Sequence, residues 1–132
     1  MQARAIQRDI GIPATKVRQL LDLIRGKSVG EALSILQYSP RRAAGIIEKT
    51  LRSAIANATR QDDDEDVVAA RTVDVDSLFV STVMADQGRT LKRMKTRARG
   101  TSNRIDKRQS HVTIIVSDGR DDSAVVETAA TE

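Results

Sequence analysis

Nine basic side chains crowd into residues 86–111, at positions 89, 92, 93, 95, 97, 99, 104, 107 and 108, against two acidic ones, Asp86 and Asp106. The chemistry such a run can do is phosphate binding. Arginine presents a planar fork of N–H donors and lysine a point charge, and each neutralised phosphate releases counterions. Arg93, Lys95, Arg97 and Arg99 recur at every second position. On an extended arm they would share one face at intervals of about 6–7 Å, comparable with successive phosphates of one nucleic-acid strand. Few apolar side chains accompany them, so burial cannot offset the entropy of ordering this segment, and a partner must supply charge-assisted contacts.

Catalysis has no comparable foothold. The 132 residues include one His, one Tyr, one Phe and neither Cys nor Trp. Without Cys there is no disulfide, thiolate metal site or cysteine nucleophile, and no glycine-rich phosphate loop or nucleophile elbow is present. His111 lies next to Ser110 and ahead of an apolar run. It reads as a hydrogen-bonded strand residue or an RNA contact, because no base, nucleophile and orienting group can be assembled around it. Glu31 follows Ser28 at the spacing of a helix capping box, not of an acid–base pair. The acidic run 61–66 fails as a calcium loop, since counting from Asp62 puts Val67 at the turn glycine and Val73 at the closing glutamate. No enzymatic activity, metal or cofactor is expected.

The net charge of +4 conceals a segregation: residues 1–60 carry +7, 61–85 carry −6, 86–111 carry +7 and 112–132 carry −4. Two basic blocks in a small protein point to a polyanion. Single-strand readers stack bases on aromatic side chains, and Tyr38 and Phe79 are too few for that. Shape and phosphate recognition of folded, double-helical RNA is the reading that survives. The longest strongly apolar run, Val112 to Val116, is far short of the roughly 20 residues of a membrane helix. The opening residues also lack the apolar core of a secretory signal, so neither membrane association nor secretion is expected.

The elements that must position these cations follow from periodicity. Ala3 and Ala5 alternate with Arg4, Ile6 and Arg8 as a short strand. Pro13 opens a helix at its first position, Val17, Leu20, Leu21 and Ile24 form its apolar stripe, and Gly26 supplies a left-handed end. Ser28 caps a second helix carrying Ala32, Leu33 and Leu36. Ser39-Pro40 starts a third of about five turns, striped by Ala43, Ile47, Leu51, Ala54, Ile55 and Ala58. Residues 72–85 and 104–117 are β-like and adjacent in sequence, so they pair as a hairpin spanning about 81–116. Sharing the stretch from Ala85 to His111 between two arms of about 13 residues lets them project on the order of 40 Å. The expected class is α+β: three helices packed on a small antiparallel sheet, with a long protruding hairpin, forming a single domain over 1–117. An acidic tail over 118–132 is expected to be disordered.

Several stretches, in order, are similar to one family. Ala3-Arg4-Ala5-Ile6, Lys16-Val17-Arg18, Asp22-Leu23-Ile24-Arg25-Gly26-Lys27-Ser28-Val29, Glu31-Ala32-Leu33 and Ser53-Ala54-Ile55-Ala56-Asn57-Ala58 come first. Thr90-Leu91-Lys92-Arg93, Arg97-Ala98-Arg99-Gly100, Arg104-Ile105, Lys107-Arg108 and Ser110-His111-Val112-Thr113 follow. Over residues 2–117 the chain resembles the bacterial large-subunit ribosomal protein of the L twenty-two family. Thr96 stands where that family commonly has proline, and the link 61–71 is longer and more acidic than usual.

The resemblance implies a cytoplasmic, structural constituent of the large ribosomal subunit that binds 23S rRNA, assists assembly and lines the polypeptide exit tunnel with its hairpin. Carried over by position, Thr90, Lys92, Arg93 and Met94 would lie at or near the tunnel-lining end. Lys95, Arg97, Arg99, Arg104, Lys107, Arg108 and His111 would grip RNA along the arm, and Arg4, Lys16, Arg18, Arg25 and Lys27 would do so from the domain. Partners would be 23S rRNA, neighbouring ribosomal proteins and the nascent polypeptide, with no homo-oligomer. A DNA-binding transcription regulator ranks well below, because a further helix separates the first and third and no dimer seam is evident.

Overall fold

The computed structural model describes residues 2–61 and 75–118. Residues 62–74 and 119–132 lie outside these, together with the expectations placed there on the acidic link and the tail, while Gln61, expected in the link, ends the third helix. Strand β1 (Gln2–Ile10) leads into three helices, α1 (Ala14–Ile24), α2 (Val29–Tyr38) and α3 (Arg42–Gln61). A 3-10 turn at Val75–Ser77 precedes β2 (Phe79–Thr96), and β3 (Ser102–Ser117) completes the described chain.

The helices bury the stripes that their periodicity dictates. In α1 these are Val17, Leu20, Leu21 and Ile24. Pro13 sits one place earlier than expected, as the N-cap at φ −60° and ψ 140°, where its carbonyl receives the Lys16 N–H at 3.0 Å. Gly26 adopts φ +71° just past the helix end, a conformation that costs residues with a Cβ about 1–2 kcal/mol. In α2 the Ser28 hydroxyl accepts the Glu31 N–H at 3.3 Å, which makes Ser28 the helix cap, while the Glu31 carboxylate stands 3.8 Å from Lys27. The third helix starts at Arg42 rather than at Ser39-Pro40. Ser39 instead closes α2 through its N–H to the Leu36 carbonyl, and the proline after it favours the extended conformation it adopts.

The three strands form one antiparallel sheet in the order β1-β3-β2. Core-facing rows run Ala3, Val116 and Val80, then Ala5, Ile114 and Val83. Helix α3 covers β1 and β3, α1 covers β2, and α2 packs on α3. The alanines of β1 share one buried cluster with Ala54 and Ala58 of α3, the helix packed on that strand, and such short side chains let helix and sheet approach closely. Val75 belongs to the 3-10 turn, so β2 begins later than the β-like sequence suggested. Leu78 is instead a buried plug whose carbonyl accepts the Val29 N–H at 3.0 Å.

Among the described residues, the helices cover one face of the sheet only. On the other, Ile6, Thr113 and Met84 form a row across the strands, with Ile6 42% and Met84 45% exposed. The outer edge of β2 is protected where it belongs to the domain. Gly26 donates to the Val80 carbonyl at 2.9 Å, and Val80 donates to Lys27 O at 2.9 Å. Among the described residues no helix is long and apolar enough to cross a membrane.

Candidate nucleic-acid interface

The pairing of β2 with β3 continues beyond the domain as a two-stranded ribbon, from Thr90 opposite Arg108 to Thr96 opposite Ser102. Nine residues of β2 past Gln87, at ~3.3 Å each, carry it roughly 30 Å outward. Every residue from 92 to 108 is exposed. Among the described residues, neither arm has a second neighbouring strand beyond the root, because β1 stops pairing at Ser110.

Register assigns the side chains to faces. Leu91, Arg93 and Lys95 share one face with Asn103, Ile105 and Lys107. Lys92 and Met94 share the other with Arg104, Asp106 and Arg108. Each face therefore carries three cations within the ladder: Arg93, Lys95 and Lys107 on one, Lys92, Arg104 and Arg108 on the other. The single acid there, Asp106, accepts the Arg104 Nε–H at 2.8 Å. Exposed apolar groups also occur on both faces, Met94 at 76% and Ile105 at 38%.

The turn departs from simple alternation. Arg97 remains extended, and its N–H meets the Thr101 carbonyl at 2.7 Å. Arg99 adopts φ 59° and ψ 28°, Gly100 adopts φ +72°, and Thr101 N–H reaches Ala98 O at 3.4 Å. Positive φ at both central residues is the mark of a type I′ hairpin turn. Arg93, Lys95 and Arg97 thus keep the two-residue rhythm, but Arg99 leaves their row and sits at the apex. Of the four residues expected at the tunnel end, Thr90 begins the ladder beyond the root and Met94 lies two pairs short of its last pair.

The domain cations divide. Arg4 lies exposed on the uncovered sheet face, its carbonyl taken by Asn57 Nδ2 at 2.9 Å, and Lys16 is exposed in the first turn of α1. Arg18 and Arg25 are turned onto the outer edge of β2. Arg18 donates from Nε at 3.0 Å and from Nη2 at 2.8 Å to the Ala85 carbonyl. Arg25 donates to Val83 O at 3.4 Å and pairs with Asp22 at 3.2 Å, while Lys27 stands 3.8 Å from Glu31. His111 accepts the Asp9 N–H on Nδ1 at 3.0 Å, which puts the proton of the neutral ring on Nε2. Exposed Arg8, Arg42 and Lys49 add cations that the motifs did not single out. For Arg42 and Lys49 the available signal was their place on the polar side of the α3 stripe.

Among the described residues, no group of three or more His, Cys, Asp or Glu side chains could hold a metal ion. What the arrangement offers is a thin, two-faced cationic ribbon on a small base with a buried core. The family model described as ribosomal protein L22p/L17e matches residues 5–117.

Proposed function

The chain belongs to the ribosomal protein L22p/L17e family, and on that premise we propose that its hairpin threads between segments of 23S rRNA and lines the polypeptide exit tunnel. As a member it is a structural, non-enzymatic kind of protein, a cytoplasmic constituent of the large ribosomal subunit that binds rRNA among other ribosomal proteins. The finer reading rests on one observation: cations on both faces of an exposed ribbon. A ribbon lying on an RNA surface needs charge on one side only. One surrounded by RNA needs it on both, because like-charged RNA segments brought together repel unless cations stand between them.

In this reading Lys95, Arg97, Arg99, Arg104, Lys107 and Arg108 hold backbone phosphates along the arm and at the apex. Thr90, Lys92, Arg93 and Met94 contribute the tunnel wall beside the nascent polypeptide. Arg4, Lys16 and Lys27 meet RNA from the domain, and Arg18 and Arg25 do so with the donors left over from β2. Tying separate RNA segments together is also how the protein assists subunit assembly, as a single copy.

The test is salt-dependent binding to 23S rRNA fragments. Two triple variants to Gln are compared, Arg93, Lys95 and Lys107 from one face and Lys92, Arg104 and Arg108 from the other. Each contacted phosphate contributes about 0.7–0.9 to the slope of log K against log salt, so each triple, with two phosphate-holding cations and one from the tunnel end, should flatten the slope by about 1.5. A slope changed by one triple and untouched by the other would mean a ribbon lying on its RNA, and the threaded reading would fall.

A further inference from the structure

We infer that the hairpin is aimed by the protein itself, through a brace at its root built from His111, Gly88 and Arg18. A two-stranded ribbon has no third strand to fix its direction, so its bend is decided where it leaves the sheet, and bulges are the usual means of turning a strand. Here both edge strands bulge at nearly the same level of β3. Arg8 and Asp9 stand opposite His111 alone, and Gly88 and Arg89 stand opposite Gln109 alone.

On the β1 side the bulge puts Asp9 at φ 55° and takes its N–H out of the ladder. His111 Nδ1 receives that donor at 3.0 Å. The chain just beyond is pinned by the buried Ser110 hydroxyl, which donates to the Ile12 carbonyl at 2.8 Å. On the β2 side the same imidazole lies against Gly88. A Cβ there would stand 3.1 Å from His111 Cε1 and 3.2 Å from the Gln109 carbonyl carbon, so any side chain at 88 would press the ring and the strand aside. The ring is thus wedged between two bulges, held on one flank by a hydrogen bond and seated on the other by a missing side chain. Arg18 completes the brace from outside with its fork on Ala85 O, three residues before Gly88.

His111 and Arg18 are accordingly positioning residues, and the arm meets its partner already aimed. This claim concerns the free chain and stands apart from the ribosomal reading. The sequence has no Cys, so two introduced cysteines can carry spin labels without background. Ser53→Cys on the exposed side of α3 and Ala98→Cys at the turn report the arm's direction through pulsed electron–electron distances in the full chain. The expected result is one narrow distribution in the parent. His111→Ala, Gly88→Ala and Arg18→Ala should each broaden or shift it by about 5 Å, the displacement of a 30 Å arm tilted by roughly 10°. His111→Asn, whose Oδ1 can accept the Asp9 N–H, should restore the narrow distribution. A broad distribution in the parent, or parent-like distributions in all three alanine variants, would overturn the brace. Global unfolding of the His111→Ala domain would overturn it too, since the ring would then be holding the core and not the arm.

Discussion

The apex of the hairpin offers the sharpest quantitative test. Arg99 is held at φ 59° and ψ 28°, the left-handed region, in a turn whose second central residue is Gly100 at φ +72°. An L-residue with a Cβ gives up about 1–2 kcal/mol there, whereas glycine adopts the conformation freely but loses more backbone entropy on ordering. Arg99→Gly should therefore tighten the turn by about 1 kcal/mol net, which corresponds to a roughly 5-fold change in an opening equilibrium. Gly100→Ala should loosen it by about 1–2 kcal/mol, or roughly 5–30-fold.

The natural readout is amide hydrogen exchange at Arg97, whose N–H closes the turn onto Thr101 O at 2.7 Å, because such a tip opens without global unfolding. Protection at Arg97 should rise in Arg99→Gly and fall in Gly100→Ala, while amides of the core strands stay unchanged. Arg99→Gln separates charge from conformation. It removes the cation but keeps the Cβ, so it should show no gain. Slower exchange in Arg99→Gln equal to that in Arg99→Gly would assign the effect to charge repulsion and refute the conformational account.

Three further outcomes follow from the same geometry. Leu51 is fully buried under the sheet, and Leu51→Ala should cost about 2–5 kcal/mol in denaturant unfolding; a loss below about 1 kcal/mol would mean the core is not packed as described. Ser28→Ala removes the side-chain cap of α2 and should lower stability by about 0.5–2 kcal/mol, an effect absent if the hydroxyl bond to Glu31 N–H is not formed in solution. If the outer part of β2 lines the tunnel, substitutions or short deletions across residues 92–94 should alter macrolide sensitivity or nascent-chain stalling. Unchanged drug response and stalling would leave the tunnel placement without support.

Much of the fold was legible in the sequence because burial writes itself as periodicity. The stripe of α1, the cap at Ser28, the left-handed Gly26 and a turn midway between Ala85 and His111 all follow from local pattern. The start of α3 did not, because the Ser39 N–H is captured by the end of α2. The arginines resist such reading for a deeper reason. Nothing local distinguishes Arg18, whose fork closes on a carbonyl 67 residues away, from Lys16, two residues earlier and equally exposed. Composition shows that a guanidinium is present, but only the tertiary fold decides whether its donors meet a neighbouring strand or a partner. The bulges were equally hidden. Gly88 hints at one, yet Arg8 and Asp9 carry no sign of theirs.

The unpaired edges of the ribbon carry a consequence for the chain before it joins a particle. Two bare arms, open along their outer sides, are a template on which a second molecule could zip into a growing fibre. Their lysines and arginines act as gatekeepers, since stacking one ribbon on another would bring like charges into register. That protection is electrostatic, and concentrated salt or a flexible polyanion would weaken it. The same charges that we propose hold rRNA would thus keep idle copies apart until the right scaffold arrives.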